Sequence, residues 1–156
     1  MQIEYHSDAL PSAREFIDVH ARQGRLAVLR GATPLFYGGV DWSDAALSAT
    51  HGDMLLEVEV GKIERSRDGK LLVLSLAAFL ERYRSEPLYA VTSLHNAKMR
   101  AKLLWPSVLA CRSALDAADN LLLWMSSGST SSLLHYDDVS NLNCLMAGKK
   151  VSTILS

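Results

Sequence analysis

The residues best equipped for chemistry in this chain are His135 and Asp137, separated by Tyr136. In an extended strand, side chains at i and i+2 leave the same face. An imidazole nitrogen and a carboxylate oxygen then stand side by side, the spacing that two adjacent ligands of one metal ion need. Two histidines and one carboxylate on one face of iron leave three coordination positions open for a cosubstrate and dioxygen. That ligand set marks non-haem Fe(II) oxygenases. Taken alone, His-x-Asp also describes a surface histidine beside a solvated acid, because short motifs recur by chance.

The other candidates carry less. His6 and His20 read as surface residues of the N-terminal region. His51 precedes Gly52 at a helix end, where an imidazole interacts well with the dipole, and His95 falls in a loop. None has a partner at ligand spacing. Cys111 and Cys144 fit no zinc-site spacing. Both sit among apolar neighbours and read as buried free thiols.

The elements that must position His135 and Asp137 follow from periodicity. Ser12-Ala13-Arg14-Glu15 fits a capping box. A helix carrying Ala13, Phe16 and Val19 follows, with Gly24 as its stop. The run 26–29 predicts a buried strand ending at Gly31. Asp41 to Gly52 predicts a helix with Ser43 as a possible cap. Leu56, Val58 and Val60 alternate with Leu55, Glu57 and Glu59, which predicts a strand with one wet face. Arg67 to Lys70 reads as a turn, and Leu76, Phe79, Leu80 and Tyr83 return to helical spacing. The stretch 88–94 is extended, Trp105-Pro106-Ser107 opens a helical or irregular stretch, and 116–120 is a loop. The tail then changes character: four short strands are expected at 121–125, 133–137, 141–146 and 150–155, joined by tight turns, as in a sandwich or barrel.

The tail LLLWMSSGSTSSLLHYDDVSNLNCLMAGKKVSTIL resembles the JmjC/cupin-like Fe(II)- and 2-oxoglutarate-dependent oxygenases. Leu123-Trp124, Gly128, His135 with Asp137, Asn141 six residues after the histidine, and Gly148-Lys149-Lys150 carry the resemblance. Weaker agreement extends to Arg30-Gly31 and Pro87-Leu88-Tyr89. The resemblance implies roles. His135 and Asp137 would be the first two iron ligands. Lys150 would pair with the distal carboxylate of 2-oxoglutarate, a cationic donor at a mostly apolar pocket end. Lys149, of opposite strand parity, would point outward. Asn141 would hydrogen-bond the other end of the cosubstrate. Ser132 stands where many members carry a threonine, and it keeps the hydroxyl. His-x-Asp rather than His-x-Glu leans toward a hydroxylase, with a protein substrate. The family's third ligand is a downstream histidine, and no histidine follows His135.

These readings combine into one α+β expectation. Residues 1–156 form a single JmjC/cupin-like domain. Residues 1–120 form an N-terminal α/β portion, and 121–156 start a double-stranded β-helix, or cupin jelly roll, that is truncated. The alternative is a non-catalytic cupin-like binding module or pseudoenzyme lacking the third iron ligand. A generic α+β domain with structural His135 and Asp137 is the remaining reading. Composition constrains the rest. With 49% hydrophobic and 21% charged residues the chain is of globular type. Sixteen basic against seventeen acidic residues give a net charge of -1, which argues against a partner held by phosphate neutralisation, as nucleic acid would be. The longest near-apolar stretch, Leu71 to Leu80, falls short of the roughly 20 residues of a membrane span. Without a signal-like N-terminus, a cytoplasmic or nuclear location is expected.

Overall fold

The computed structural model describes residues 2–37, 41–62, 69–94, 97–112, 114, 120–128 and 130–154. The chain is mixed α+β and divides into two compact units. The first comprises Met1–Gly39, Leu104–Ala117 and Asp138–Ser156, the second Val40–Leu103 and Ala118–Asp137.

The first unit begins with strand β1 (Ile3–His6), crosses over through helical turns and returns as β2 (Ala27–Arg30). The two strands pair in parallel, Ile3 opposite Ala27 and His6 opposite Arg30. A parallel pair needs a crossover, and helix α1 (Ala13–Glu15) with the segment after it supplies one. Ser12 caps α1, its hydroxyl accepting from the Glu15 N–H at 3.2 Å. The expected α-helix does not run on to Gly24. From Phe16 to Ala21 the backbone widens to π-helical spacing, with Arg22 N–H donating to the Ile17 carbonyl five residues back at 2.9 Å. Gly24 then takes a left-handed φ of 60°, as the stop signal requires.

The widened turn explains a correction. His20 is buried, at 3% exposure, and not at the surface. Its Nδ1 donates to the Arg25 carbonyl at 3.1 Å, and the Tyr5 hydroxyl meets Nε2 at 3.0 Å. Phe16 packs against the ring at 5.5 Å between centroids. Both ring nitrogens are satisfied, so burial leaves no polar group unmatched.

The second unit is a four-stranded sheet with helices on one face. Strands β3 (Leu55–Val60), β4 (Lys70–Ser75), β5 (Leu88–Ser93) and β6 (Leu122–Ser126) stand in the order β4-β3-β5-β6, each pair antiparallel. Register follows parity. Leu56 and Val58 point into the core, while Leu55 and Glu57 are exposed. Helices α2 (Asp44–His51) and α3 (Leu76–Arg82) cover the inner face. Phe79, Leu76, Val58 and Leu88 are fully buried there. Burying a side chain of this size contributes roughly 1.5–3 kcal/mol. The short helix α4 (Ala97–Arg100) adds Met99 to the same core.

Caps place the helices. The Ser43 hydroxyl accepts from Ala46 N–H at 3.3 Å and Ser75 from Ala78 N–H at 3.2 Å. Gly52 stands where α2 ends against α3, and a Cβ there would lie 2.3 Å from the Ser48 carbonyl oxygen and 3.2 Å from the Ala77 Cβ. Asp44 ties the helices together, accepting from the Tyr83 hydroxyl at 2.9 Å and from Arg84 at 2.6 Å. Burial first, and then the Asp44 hydrogen bond, push the Tyr83 phenol above its ordinary range.

The tail departs from expectation. Only its first strand forms, as β6. No strand exists at 133–137, 141–146 or 150–154. Asp137, Asn141 and Asn143 place residues poorly suited to a pleated surface within the first two of these stretches. Local bonds also compete with a ladder: His135 Nδ1 reaches the Leu133 carbonyl, and Asn141 Nδ2 reaches that of Val139 at 3.5 Å. Among the described residues the sheet of the second unit therefore ends at β6, and no jelly roll is built. The expected turn at residues 67–68, the loop at 116–119, His95 and Leu155 lie outside the described residues. No helix among the described residues is long and apolar enough to cross a membrane.

Candidate functional site

One end of the four-stranded sheet brings Lys62, Tyr89 and Ser132 of the second unit together. There β3 ends at Val60, β5 enters at Leu88 and β6 leaves at Ser126. The pairs Val60 with Leu88 and Tyr89 with Ser126 bring these ends together. Gly61 turns the chain out of β3 with φ 68°, while its N–H donates to the Pro87 carbonyl. A residue with a Cβ would be strained in that left-handed conformation.

His135 and Asp137 lie beyond β6 in the same unit. The imidazole Nε2 stands 3.6 Å from Asp137 Oδ1, with both side chains about half exposed. The strand that was to align them does not form. Instead, His135 Nδ1 sits 2.7 Å from the Leu133 carbonyl oxygen. A carbonyl only accepts, so Nδ1 carries the hydrogen, and in the neutral ring Nε2 presents its lone pair. That lone pair and the Asp137 carboxylate are two acceptors on one side, which a proton on Nε2 or a cation can bridge. A backbone carbonyl on the far nitrogen is also the usual device for fixing a metal-ligating histidine.

Ser132 is drawn into the same end of the sheet. Lys62, just past Gly61, donates from Nζ to the Ser132 hydroxyl. The same ammonium lies 4.9 Å from the centroid of the Tyr89 ring. Trp124 meets Tyr89 edge to face at 6.4 Å. Sequence spacing gave no hint of Lys62. Seventy residues separate it from Ser132, and only the β3–β5 register brings it over Tyr89.

The other expected site residues belong to the first unit. Asn141 and Lys150 are both exposed there, as is Lys149. Asp138 is exposed. Cys111 and Cys144 are free thiols and only partly buried. Burial pushes the Cys144 thiol above its ordinary range.

The donor set for a metal is short. Among the described residues no group of three or more His, Cys, Asp and Glu side chains could hold a metal ion. His135 and Asp137 offer one imidazole nitrogen and one carboxylate, 3.6 Å apart. Compared with known proteins, the chain matches no family model and no curated relative.

Proposed function

We propose that this chain provides the His-x-Asp ligand pair of a non-haem Fe(II) centre of the 2-oxoglutarate-dependent oxygenase type, acting as a hydroxylase on a protein or other C–H substrate. The observation that carries the reading is the His135–Asp137 pair. Its Nδ1 hydrogen is held by a backbone carbonyl, and its Nε2 stands 3.6 Å from a carboxylate oxygen. His135 would present Nε2 and Asp137 one oxygen to the metal. Ser132, in the same unit, would add a hydroxyl toward 2-oxoglutarate. The bound iron, with 2-oxoglutarate and dioxygen, would supply the oxidising power, while the chain binds and orients. A cytoplasmic or nuclear location and independence from nucleic acid belong to the same proposal.

The test is metal binding followed by turnover. Mn(II), an Fe(II) surrogate read by its electron paramagnetic resonance signal, should bind the intact chain. His135→Ala and Asp137→Ala should each weaken binding at least about tenfold, as losing a ligand or its support does. Unchanged binding in either variant would sink the ligand assignment. A second reading is a cupin-like module without catalysis. Conversion of 2-oxoglutarate to succinate in the presence of Fe(II) favours the oxygenase. Metal binding without conversion favours the module.

A further inference from the structure

Strand β4 forms one edge of the four-stranded sheet. Among the described residues its only neighbour is β3. In an antiparallel ladder every second residue of an edge strand turns its N–H and C=O away from the sheet. Such a row is a template for another strand, and natural edges blunt it with charge, proline, a bulge or a covering element. Residues 71–75 have no such protection. Leu71-Leu72-Val73-Leu74-Ser75 carries no charge and no proline, and Lys70 stands at its start. The pairing with β3 runs without a bulge from Leu55 opposite Ser75 to Val60 opposite Lys70. On the outer face Leu71 is 64% and Val73 67% exposed. The core also thins at this edge: Val58 is fully buried, while Leu72, its cross-strand partner, is only half-buried.

We infer that β4 is the docking edge for β4 of a second copy of this chain, running antiparallel to it, so that two sheets join into one. Symmetry selects this partner and this direction. A two-fold axis normal to the sheet lays β4 against an antiparallel copy of itself and keeps each face on its own side. The helices α2 and α3 of both copies then share one face. Parity is preserved across the pair, so Leu72 and Leu74 meet their counterparts over the core, and Leu71 and Val73 meet theirs on the outer face. A parallel pair would need an axis along the strand. That axis turns one copy over and sets exposed Leu71 and Val73 beside a helix-covered face. It also places the two Lys70 side chains next to each other, whereas the antiparallel pair carries them to opposite ends. One strand of six residues buries less than a standard interface, so the pair is weak and concentration-dependent.

Sedimentation velocity of the whole chain, followed across concentration, tests the pairing. The wild type should pass from monomer to dimer and no further, because a two-fold contact closes on itself. Val73→Lys sets like charges together at the middle of the edge and should weaken dimerisation at least about tenfold. Val73→Glu should do the same. An equimolar mixture of these two variants should dimerise again, since opposite charges then face each other. Leu55→Lys is the control. Leu55 is equally exposed, at 67%, but lies on β3, one strand in from the edge, and its variant should dimerise like the wild type. A far-ultraviolet circular dichroism spectrum like that of the wild type checks each fold. Amide hydrogen exchange needs no variant: the N–H groups of 70–75 should gain protection as the wild-type chain is concentrated. A wild type still monomeric at about 1 mM overturns the proposal, as does exchange at 70–75 that ignores concentration. A dimer that survives Val73→Lys overturns it too. So does one that Leu55→Lys dissociates as strongly, which would place the contact on the open face of the sheet. A mixture that stays monomeric overturns the antiparallel pairing about Val73.

Discussion

The body of the second unit and the tail beyond β6 are both rich in apolar residues, yet one is a layered sheet and the other has no ladder. Leu56, Val58 and Leu88 face α3 and are shielded from water. Leu133, Leu134, Tyr136 and Val151 are exposed. Composition does not separate them. What does is the presence of a hydrogen-bonded neighbour on each side of β3 and β5, with two helices over one face. Backbone groups enter a strand when a partner strand satisfies them. In the tail, nearby side chains occupy some of those backbone carbonyls instead. Strand formation here is a property of the neighbourhood rather than of the segment.

The sharpest way to stress that contrast is to hollow out the body. Phe79→Ala should destabilise the second unit by about 3–5 kcal/mol, the usual cost of a large cavity, read from urea unfolding. A loss below about 1 kcal/mol would mean the core is not packed around that ring. Removing the α3 cap should cost less. Ser75→Ala should lower stability by about 1 kcal/mol, and a null result would remove the cap from the account of how α3 is placed.

A smaller effect carries a pH signature. Tyr83 is a weak acid whose folded-state pKa is raised, so its contribution is fully present below the unfolded value of about 10 and fades as pH rises through the folded one. Wild-type stability should therefore fall in the alkaline range, and Tyr83→Phe should flatten that fall while costing less than about 1 kcal/mol at neutral pH. An alkaline decline identical in the variant would assign it to other groups. The smallest effect belongs to the tail: Leu134→Ser should change stability by no more than about 0.5 kcal/mol. A loss comparable to that of Phe79→Ala would abolish the distinction between the two regions.

What the sequence makes legible is local. Ser12 and Ser43 announce their helices because a cap acts within three residues. The alternation through Leu56, Val58 and Val60 declares a strand because parity is intrinsic to the pleat. Partners distant along the chain stay hidden. Nothing near Ile3 signals its parallel neighbour Ala27. His20 looks like a surface histidine until Tyr5, fifteen residues earlier, is brought to its Nε2. The candidate site divides along the same line. His135 and Asp137 are adjacent in sequence and in space, so their pairing can be read directly, whereas Lys62 reaches Ser132 only through the sheet.

The partial burial of Cys144 has a chemical consequence. Thiols act as nucleophiles and metal ligands in their ionised form, and this one is held toward its protonated form. At neutral pH it should be slow to react with alkylating agents and peroxide, and it offers a poor ligand to iron or zinc. Oxidative cross-linking between copies through this sulfur should be correspondingly slow.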